Sequence, residues 1–402
     1  GLNPETFSWE LNAGDSFVTP EALLVYSNEG LSGMSKAFHA VCRNYLGKSA
    51  DKNIKHPIVI NNWEAMYFDI TEEKLFQFIT DCKGLGIDTM VLDDGWFGHR
   101  TCDDSSLGDW FVDKNRFPEG LHNVVKCCKD NGMKFGIWFE PEMISKDSEL
   151  YKKHPDWCIH TENFAPVEVR NQLVLDMSRK EVCDAIYEQV AAVLTEYDIS
   201  YVKWDMNRHM TDNGSTWLSP DRQGEHAHRY ILGVYYLMDR LTKQFPHVFF
   251  EGCSGGGGRF DFGILYYMPQ IWTSDDSDAV ERLKIQYGTS LVYPTSSMVA
   301  HVSACPNHQT GRITSFKTRG DVAQICNFGY ELNVGLLSEE EKAMIKEQTV
   351  KHRELEELVA EGDFYRIINP FEGNTCAWQL VSKDKLKAYV VFVRVNAVPN
   401  YK

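Results

Sequence analysis

The chain is organised around one stretch, Tyr201-Val202-Lys203-Trp204-Asp205-Met206-Asn207-Arg208. Its composition predicts a short strand that ends on a carboxylate. Side chains alternate between the two faces of a strand, so Lys203 and Asp205 share one face with Tyr201 and Asn207. Two charges on a buried face are costly unless they are paired. We therefore expect Lys203 to pair with Asp205 and to hold this carboxylate in its ionised form.

The predicted pair of Lys203 and Asp205 has two interpretations. It can be a structural ion pair, buried for the stability of the fold. Alternatively, an ionised carboxylate at a strand end is suited to act as a nucleophile and unsuited to donate a proton. The stretch itself leaves both interpretations open.

Composition narrows the class of protein. The chain has 402 residues, of which 43% are hydrophobic and 24% charged, as in an ordinary globular protein. A net charge of -16 argues against nucleic acid or an anionic membrane as partner. No apolar run reaches the roughly 18 residues of a membrane span. Since the chain does not begin with methionine, we expect a longer protein, for which a signal peptide is left open.

The cysteines favour reduced thiols. Eleven are scattered along the chain and include the adjacent Cys127 and Cys128, which favours a cytoplasmic location over a disulfide framework. No pair of cysteines and no cluster of His and Cys has the spacing of a zinc site. We therefore expect neither a metal nor another cofactor.

From about residue 55 the sequence alternates between short apolar runs and helical or long-loop returns. Helices are predicted from Thr71, over 121–128 and 225–244, and after the capping boxes Ser178–Glu181 and Ser338–Glu341. Repeated βα units of this kind predict a closed (β/α)8 TIM barrel, with a doubly wound open sheet as the alternative. The eight predicted strands are 57–63, 89–94, 134–140, 201–205, 248–251, 270–275, 297–301 and 327–332.

Three parts are predicted along the chain. Residues 1–48 contain two strand-like runs, Phe7–Leu11 and Ala22–Tyr26, and are interpreted as the end of an N-terminal β domain. Residues 49–361 form the barrel. Residues 362–402 carry further strand-like runs at 375–381 and 386–393 and are interpreted as the start of a C-terminal β domain.

The chemistry is expected at the carboxyl ends of the barrel strands, where active sites of such barrels lie. These ends carry acids, tryptophans, a lysine, a cysteine and a histidine, namely Trp63, Asp93, Asp94, Trp96, Trp138, Glu140, Glu142, Lys203, Asp205, Cys253, Asp275, Asp276 and His301. The glycine run 255–258 lacks the lysine of a phosphate-binding loop. It is more typical of a backbone that a ligand approaches closely.

A second acidic cluster, Asp275-Asp276-Ser277-Asp278, provides a candidate partner for Asp205. Acids also occur at helix N-termini, so a capping role is the alternative. If one of these acids faces Asp205 across the pocket, the two have the makings of glycoside cleavage. An acid without a neighbouring cation keeps a raised pKa and can protonate a leaving oxygen. The alternation of side chains does not decide which of the three acids does so.

Six motifs resemble the α-galactosidases of glycoside hydrolase family 36, also called melibiases. They occur in the family's order between about residues 55 and 350, and they are Asn61-Asn62-Trp63-Glu64, Leu92-Asp93-Asp94-Gly95-Trp96-Phe97, Gly136-Ile137-Trp138-Phe139-Glu140-Pro141-Glu142-Met143, Lys203-Trp204-Asp205-Met206-Asn207-Arg208, Cys253-Ser254-Gly255-Gly256-Gly257-Gly258-Arg259-Phe260-Asp261 and Trp272-Thr273-Ser274-Asp275-Asp276-Ser277-Asp278-Ala279.

The resemblance implies a retaining exo-α-galactosidase that acts on oligosaccharides such as melibiose and raffinose through a covalent β-galactosyl-aspartate. It implies Asp205 as the nucleophile and Asp275 as the general acid/base. Further residues are expected to bind galactose: Asp93 and Asp94 at the 4- and 6-hydroxyls, Trp63 and Trp138 as walls, Arg170, Lys203 and Asn207 on the side of the nucleophile, and Cys253 with Gly256 at the 2-hydroxyl.

The family resemblance also implies a larger assembly. Its members carry an N-terminal β-supersandwich and a C-terminal β-sandwich, of which this chain has only remnants. The full-length protein is expected to be a homotetramer.

Other functions stay open beside this one. They are an α-N-acetylgalactosaminidase, a transglycosylase such as raffinose synthase, a metal-dependent hydrolase with Asp93, Asp94, Glu140 and Glu142 as oxygen ligands, and a galactoside-binding protein without catalysis.

Overall fold

The computed structural model describes residues 2–46 and 55–396. Its strands are β1 (Val59–Asn61), β2 (Thr89–Leu92), β3 (Lys134–Phe139), β4 (Met143–Ile144), β5 (Leu173–Val174), β6 (Ile199–Trp204), β7 (Phe249–Gly252), β8 (Gln270–Trp272), β9 (Met298–Ser303), β10 (Asn327–Glu331), β11 (Asp363–Ile368), β12 (Thr375–Val381) and β13 (Ala388–Arg394). Its helices are α1 (Gly30–Asn44), α2 (Trp63–Met66), α3 (Glu72–Asp81), α4 (His122–Asp130), α5 (Glu149–Lys153), α6 (Lys180–Glu196), α7 (His226–Gln244), α8 (Phe262–Tyr267), α9 (Ala279–Thr289), α10 (Phe316–Ala323) and α11 (Glu339–Glu361). None of these helices is long and apolar enough to cross a membrane.

Eight parallel strands close into a barrel in the order β1-β10-β9-β8-β7-β6-β3-β2. Closure occurs where β1 pairs with both β2 and β10. The predicted (β/α)8 barrel is confirmed, and each predicted strand overlaps an observed one. Since all eight strands run in the same direction, their carboxyl ends meet on one face of the barrel.

The alternation predicted for β6 is also observed. Tyr201 lies inside the barrel in a small cluster with Val59, Val91 and Phe249. Val202 and Trp204 belong to the large core outside it. Lys203 and Asp205 are therefore directed toward the barrel axis, and both are almost fully buried.

Two of the three predicted helix caps are confirmed, and the third is wrong. Thr71 caps α3, and Ser338 forms the predicted capping box with Glu341 at α11. The capping box at Ser178 is wrong, because α6 begins after Arg179 without a side-chain cap. The Ser178 hydroxyl instead donates to Asp176 Oδ1 at 2.5 Å. Asp176 is buried, so its carboxylate requires such donors.

The two strands predicted near the N-terminus are wrong. Residues 7–11 and 22–26 form neither strand nor helix, and α1 was not predicted. The aromatic rings of Phe7, Trp9 and Phe17 surround His228 of α7 at centroid distances of 5.3 to 6.2 Å. Their apolar spacing therefore reflects packing on a helix and not pairing in a sheet.

After α11 the chain forms an antiparallel sheet in the order β11-β12-β13. Strand 375–381 is confirmed, and the run at 386–393 is observed as Ala388–Arg394. The predicted boundary at 361/362 falls between α11 and β11. The division of the chain into three domains remains a prediction.

Gly233 provides a test of the packing between α6 and α7. A Cβ atom at Gly233 would lie 1.7 Å from the backbone oxygen of Met177, whereas one at Gly288 in α9 would meet no atom within 4 Å. We expect Gly233→Ala to lower the free energy of unfolding by about 3 kcal/mol or more. Gly288→Ala is the matched control, expected to be neutral or to stabilise by up to about 1 kcal/mol. Denaturant unfolding measures both, and equal stabilities would contradict this packing.

Candidate active site

The carboxyl ends of the barrel strands enclose a cavity of about 220 Å³. Nine residues that the sequence predicts for the site line it, namely Trp63, Asp93, Asp94, Trp138, Arg170, Lys203, Asp205, Asn207 and Asp275. They come from separate strand ends and loops of the barrel, and the closure of the sheet brings them together.

Asp205 is surrounded by hydrogen-bond donors. Its Oδ2 accepts from Trp138 Nε1 at 3.1 Å and from Asn207 Nδ2 at 2.8 Å. Its Oδ1 accepts from the backbone N–H of Met206 at 2.8 Å and of Gly255 at 3.3 Å. Hydrogen bonds to both oxygens favour the ionised carboxylate. The group is thus held in a fixed orientation by four hydrogen bonds.

Lys203 does not form the predicted ion pair with Asp205. Its Nζ donates to Asp93 Oδ2 at 2.9 Å, past the intervening strand β3. Burial lowers the pKa of Lys203, but the charges of Asp93 and then Glu331 outweigh it and raise the pKa well above its ordinary value. Asp205 contributes less to this effect. The ammonium therefore serves several carboxylates, of which Asp93 is the direct partner.

The two adjacent acids after β2 have separate partners. Asp93 Oδ2 also accepts from Asn61 Nδ2 at 2.5 Å. Asp94 forms a bidentate pair with Arg100, with distances of 2.6 and 2.7 Å. Burial nevertheless raises the pKa of Asp94, although the Arg100 guanidinium opposes it. Both acids thus lie rigidly at the cavity wall.

Of the three acids in the second cluster, Asp275 lines the cavity. Its side chain is exposed to the cavity, yet the surrounding protein limits its hydration and raises its pKa, and the charge of Asp205 raises it further. Trp272 Nε1 donates to Asp275 Oδ1 at 3.1 Å and acts in the opposite direction. Asp278 is the N-cap of α9, so for this residue the predicted alternative of a helix-capping role is confirmed.

Cys253 and Gly256 lie beside the cavity. Cys253 is almost fully buried next to Asp205, whose charge adds to burial in raising the pKa of the thiol. Gly256, at a φ of 83°, pairs with Ser274. A Cβ atom there would lie 2.6 Å from the backbone nitrogen of Asp275. Only glycine allows this close approach.

The walls combine aromatic and charged side chains. Trp138 is buried, and its indole is fixed by the bond to Asp205. Trp63 packs edge-on against Tyr67 and Phe68 at centroid distances of 5.1 and 5.2 Å. Arg170 is exposed at the cavity mouth and donates to the backbone oxygen of Asn207 at 2.9 Å.

Sequence reasoning missed several residues that line the cavity, namely Glu64, Phe68, Arg100, Asp103, Gln172, Trp272, His308, Gln309 and Glu331. Glu331 carried a usable signal, since it is a charged residue at the end of the last predicted strand. His308 and Gln309 lie in the loop after β9, where no periodic pattern identifies them. The His308 ring is 3.2 Å from the Glu64 carboxylate.

Glu140 and Glu142 do not line the cavity, although the sequence places them at its rim. Glu142 accepts from Arg259 at 2.7 and 2.9 Å and from Tyr230 at 2.7 Å. Within residues 2–46 and 55–396, no group of three or more His, Cys, Asp or Glu residues is arranged to hold a metal ion.

Comparison with known proteins gives a consistent result. Residues 16–362 match the family model described as Melibiase. The chain is 56% identical over 400 residues to Alpha-galactosidase AgaA of Geobacillus stearothermophilus. The match covers 100% of this chain and 55% of that protein. It is 51% identical over 397 residues to Alpha-galactosidase 1 of Pediococcus pentosaceus, covering 99% of this chain and 54% of that protein. The chain thus spans about half the length of the curated relatives it matches.

A solved structure extends the likeness to the fold. The crystal structure of an AgaA variant from Geobacillus stearothermophilus in complex with raffinose matches with a TM-score of 0.98 and 55% identity, covering 100% of this chain and 56% of that one.

Arg100 tests the electrostatics of the site. Removing one partner of a buried ion pair leaves the other charge uncompensated, so we expect Arg100→Met to lower the free energy of unfolding by about 3–5 kcal/mol at neutral pH. Without the guanidinium, burial and the charge of Asp93 raise the pKa of Asp94 further above that of the unfolded chain, so the folded state binds a proton more tightly. The loss of stability should therefore shrink as the pH falls.

Denaturant unfolding at about pH 7.5 and about pH 5 measures this dependence on pH. The double variant Arg100→Met/Asp94→Asn is the control, because it removes both charges and should be more stable than Arg100→Met alone at the higher pH. Equal losses at both pH values would contradict the assignment.

Proposed function

The chain belongs to the Melibiase family, and we propose that it is a retaining exo-α-galactosidase that removes terminal α-linked galactose from oligosaccharides such as melibiose and raffinose. A related enzyme binds raffinose in a structure of nearly the same fold. Because this chain spans about half the length of its relatives, the proposal concerns the longer protein as well as the barrel.

One observation carries the proposal. Asp205 and Asp275 line the same cavity, but their surroundings differ. N–H donors surround the Asp205 carboxylate and favour its charge. Limited hydration and the neighbouring Asp205 raise the pKa of Asp275, which favours its protonated form. Two acids whose surroundings favour opposite protonation states are what a glycosidase requires.

The reaction proceeds in two steps. An Asp205 oxygen forms a bond to the anomeric carbon while the bond to the leaving oxygen breaks, and Asp275 transfers its proton to that oxygen. The resulting galactosyl ester of Asp205 is then hydrolysed. Asp275, now ionised, takes a proton from water, whose oxygen binds the anomeric carbon and releases Asp205. Two inversions give galactose of retained configuration.

The remaining residues are proposed to recognise galactose. Asp93 and Asp94 accept from the 4- and 6-hydroxyls, and the indoles of Trp63 and Trp138 form walls. Arg170, Lys203 and Asn207 bind the sugar on the side of the nucleophile, and the Lys203 ammonium is held there by its hydrogen bond to Asp93. Cys253 and Gly256 bound the pocket near the 2-hydroxyl.

Two properties of the longer protein belong to the proposal. We propose a homotetramer, as the family resemblance implies. We also propose a cytoplasmic location, supported by the cysteines: all eleven lie in the described residues, and none forms a disulfide.

Variants of the two acids test the mechanism. We expect Asp205→Ala to lower kcat for an aryl α-galactoside by at least about 10³-fold, because the ester no longer forms. Azide can enter the vacated space and should yield β-galactosyl azide. Asp275→Ala should lose far more activity on raffinose than on an aryl galactoside with a good leaving group.

Asp276→Ala is the matched control, since Asp276 does not line the cavity. It should keep the ratio of the two substrates. Near wild-type rates for Asp205→Ala would exclude this residue as nucleophile. Turnover of an aryl α-N-acetylgalactosaminide above that of the galactoside would instead favour the acetamido-sugar alternative.

The raised pKa of Asp275 predicts a dependence on pH. The acid must be protonated for the first step, so kcat/KM for raffinose should fall as the pH rises through the pKa of Asp275. The Trp272 indole lowers this pKa by its hydrogen bond. We therefore expect Trp272→Phe to raise it and to move the alkaline limb of the profile to higher pH.

Trp138→Phe is the control for this experiment, because its indole donates to Asp205 and not to Asp275. Its alkaline limb should stay in place. An alkaline limb that Trp272→Phe leaves unmoved would count against Asp275 as the acid.

A further inference from the structure

Glu140 is a buried acid without a role in the proposed reaction. It follows β3 directly, is fully buried and does not line the cavity. Its Oε1 accepts the backbone N–H of Asn207. Its Oε2 is 3.4 Å from Gln172 Nε2. The carboxyl group is thus anchored to the chain just after the nucleophile.

Asn207 connects Glu140 to the nucleophile. The Asn207 amide donates to Asp205 Oδ2 at 2.8 Å. Its backbone is held on both sides, because Arg170 donates to its carbonyl oxygen at 2.9 Å and Glu140 accepts from its N–H. The position of the amide on Asp205 therefore depends in part on Glu140, which does not line the cavity.

We propose that Glu140 is a positioning residue for the nucleophile, acting through Asn207, whose amide it keeps on Oδ2 of Asp205. The inference rests on the proposed role of Asp205. It adds a residue outside the cavity to the machinery of the first step.

The charge of Glu140 suits this role. Burial, then the charge of Asp205 and, to a smaller extent, that of Asp94 raise the pKa of Glu140 to about 8. The Asn207 N–H and the charge of Arg100 act in the opposite direction and do not cancel this increase. At neutral pH the side chain therefore carries a proton and places no second negative charge behind the nucleophile. Gln172 Oε1 is buried without a hydrogen-bond partner among the described residues. Turning that amide over directs its oxygen toward the protonated carboxyl group.

Glu142, two residues further on, is the contrast. It is also fully buried, yet Arg259, Tyr230 and Trp204 outweigh burial and lower its pKa. Glu142 is therefore ionised where Glu140 is neutral. The two glutamates of one motif are expected to respond differently to the same substitution.

Kinetics of Glu140→Ala and Glu140→Gln test the positioning role. The alanine removes the acceptor for Asn207, so kcat should fall about tenfold or more with KM changed less than about threefold. The glutamine carbonyl still accepts this N–H, so kcat should return to within about threefold of the wild type. Adding Glu140→Ala to Asn207→Ala should cost little more, since both remove one interaction. A wild-type kcat in Glu140→Ala, no rescue by glutamine, or additive losses would each overturn the proposal.

Two measurements are independent of activity and separate this inference from the proposed function. A crystal structure of Glu140→Ala should show the Asn207 amide displaced from Asp205, and an unmoved amide would overturn the proposal even if the enzyme were inactive. Thermal unfolding tests the charge. The folded-state pKa of Glu140 is raised, so the wild type loses stability relative to Glu140→Gln as the pH rises from about 4.5 toward 8.

Glu142→Gln is the matched control for thermal unfolding. The folded-state pKa of Glu142 is lowered, so the wild type gains stability over this variant as the pH rises above that pKa. At neutral pH we expect Glu140→Gln to melt at or above the wild-type temperature and Glu142→Gln below it. A drop in melting temperature of equal size in both variants would overturn the assignment of a neutral Glu140.

Discussion

The ammonium of Lys203 lies near the barrel axis, 2.9 Å from Asp93, and the carboxylates of Glu331 and Asp205 also act on it. Its positive charge offsets the repulsion among the carboxylates that surround it in the cavity. Without it, the acids at the strand ends would repel one another and take up protons. The pair of Lys203 and Asp93 joins the end of β6 to the end of β2 past the intervening β3, so it also fixes the relative position of these two strand ends at the cavity.

Around this centre, each acid has its own set of partners, and their protonation diverges for that reason. Arg100 holds Asp94, and Arg259 holds Glu142. Burial and then the charge of Asp205 raise the pKa of Asp275, and its single indole donor, Trp272, opposes this only in part. Selective protonation of this kind arises from placement and not from residue type, since all of these groups are ordinary carboxyls.

The sequence predicted the barrel well because its signals are local. Short apolar runs and caps such as Thr71 specify strands and helices within a few residues. The face of β6 that carries Lys203 and Asp205 followed from alternation alone. The partner of Lys203 did not, because Asp93 is 110 residues away and reaches it only because β2 and β6 both pair with β3. Alternation gives the face of a side chain and not its partner on another strand. His308 was missed for a related reason, since loops have no period.

Gly256 places a lasting constraint on the pocket. Its backbone rests against Ser274 and Asp275, with no room for even a methyl group. The loop after β7 and the loop that carries Asp275 are therefore coupled, and one cannot shift without the other. If the 2-position of the sugar lies here, as proposed, widening the pocket for a bulkier substituent would displace the donor as well. Broadening the substrate range at this wall would then lower the catalytic rate, and a broader range would more readily begin at the loop after β9 that carries His308.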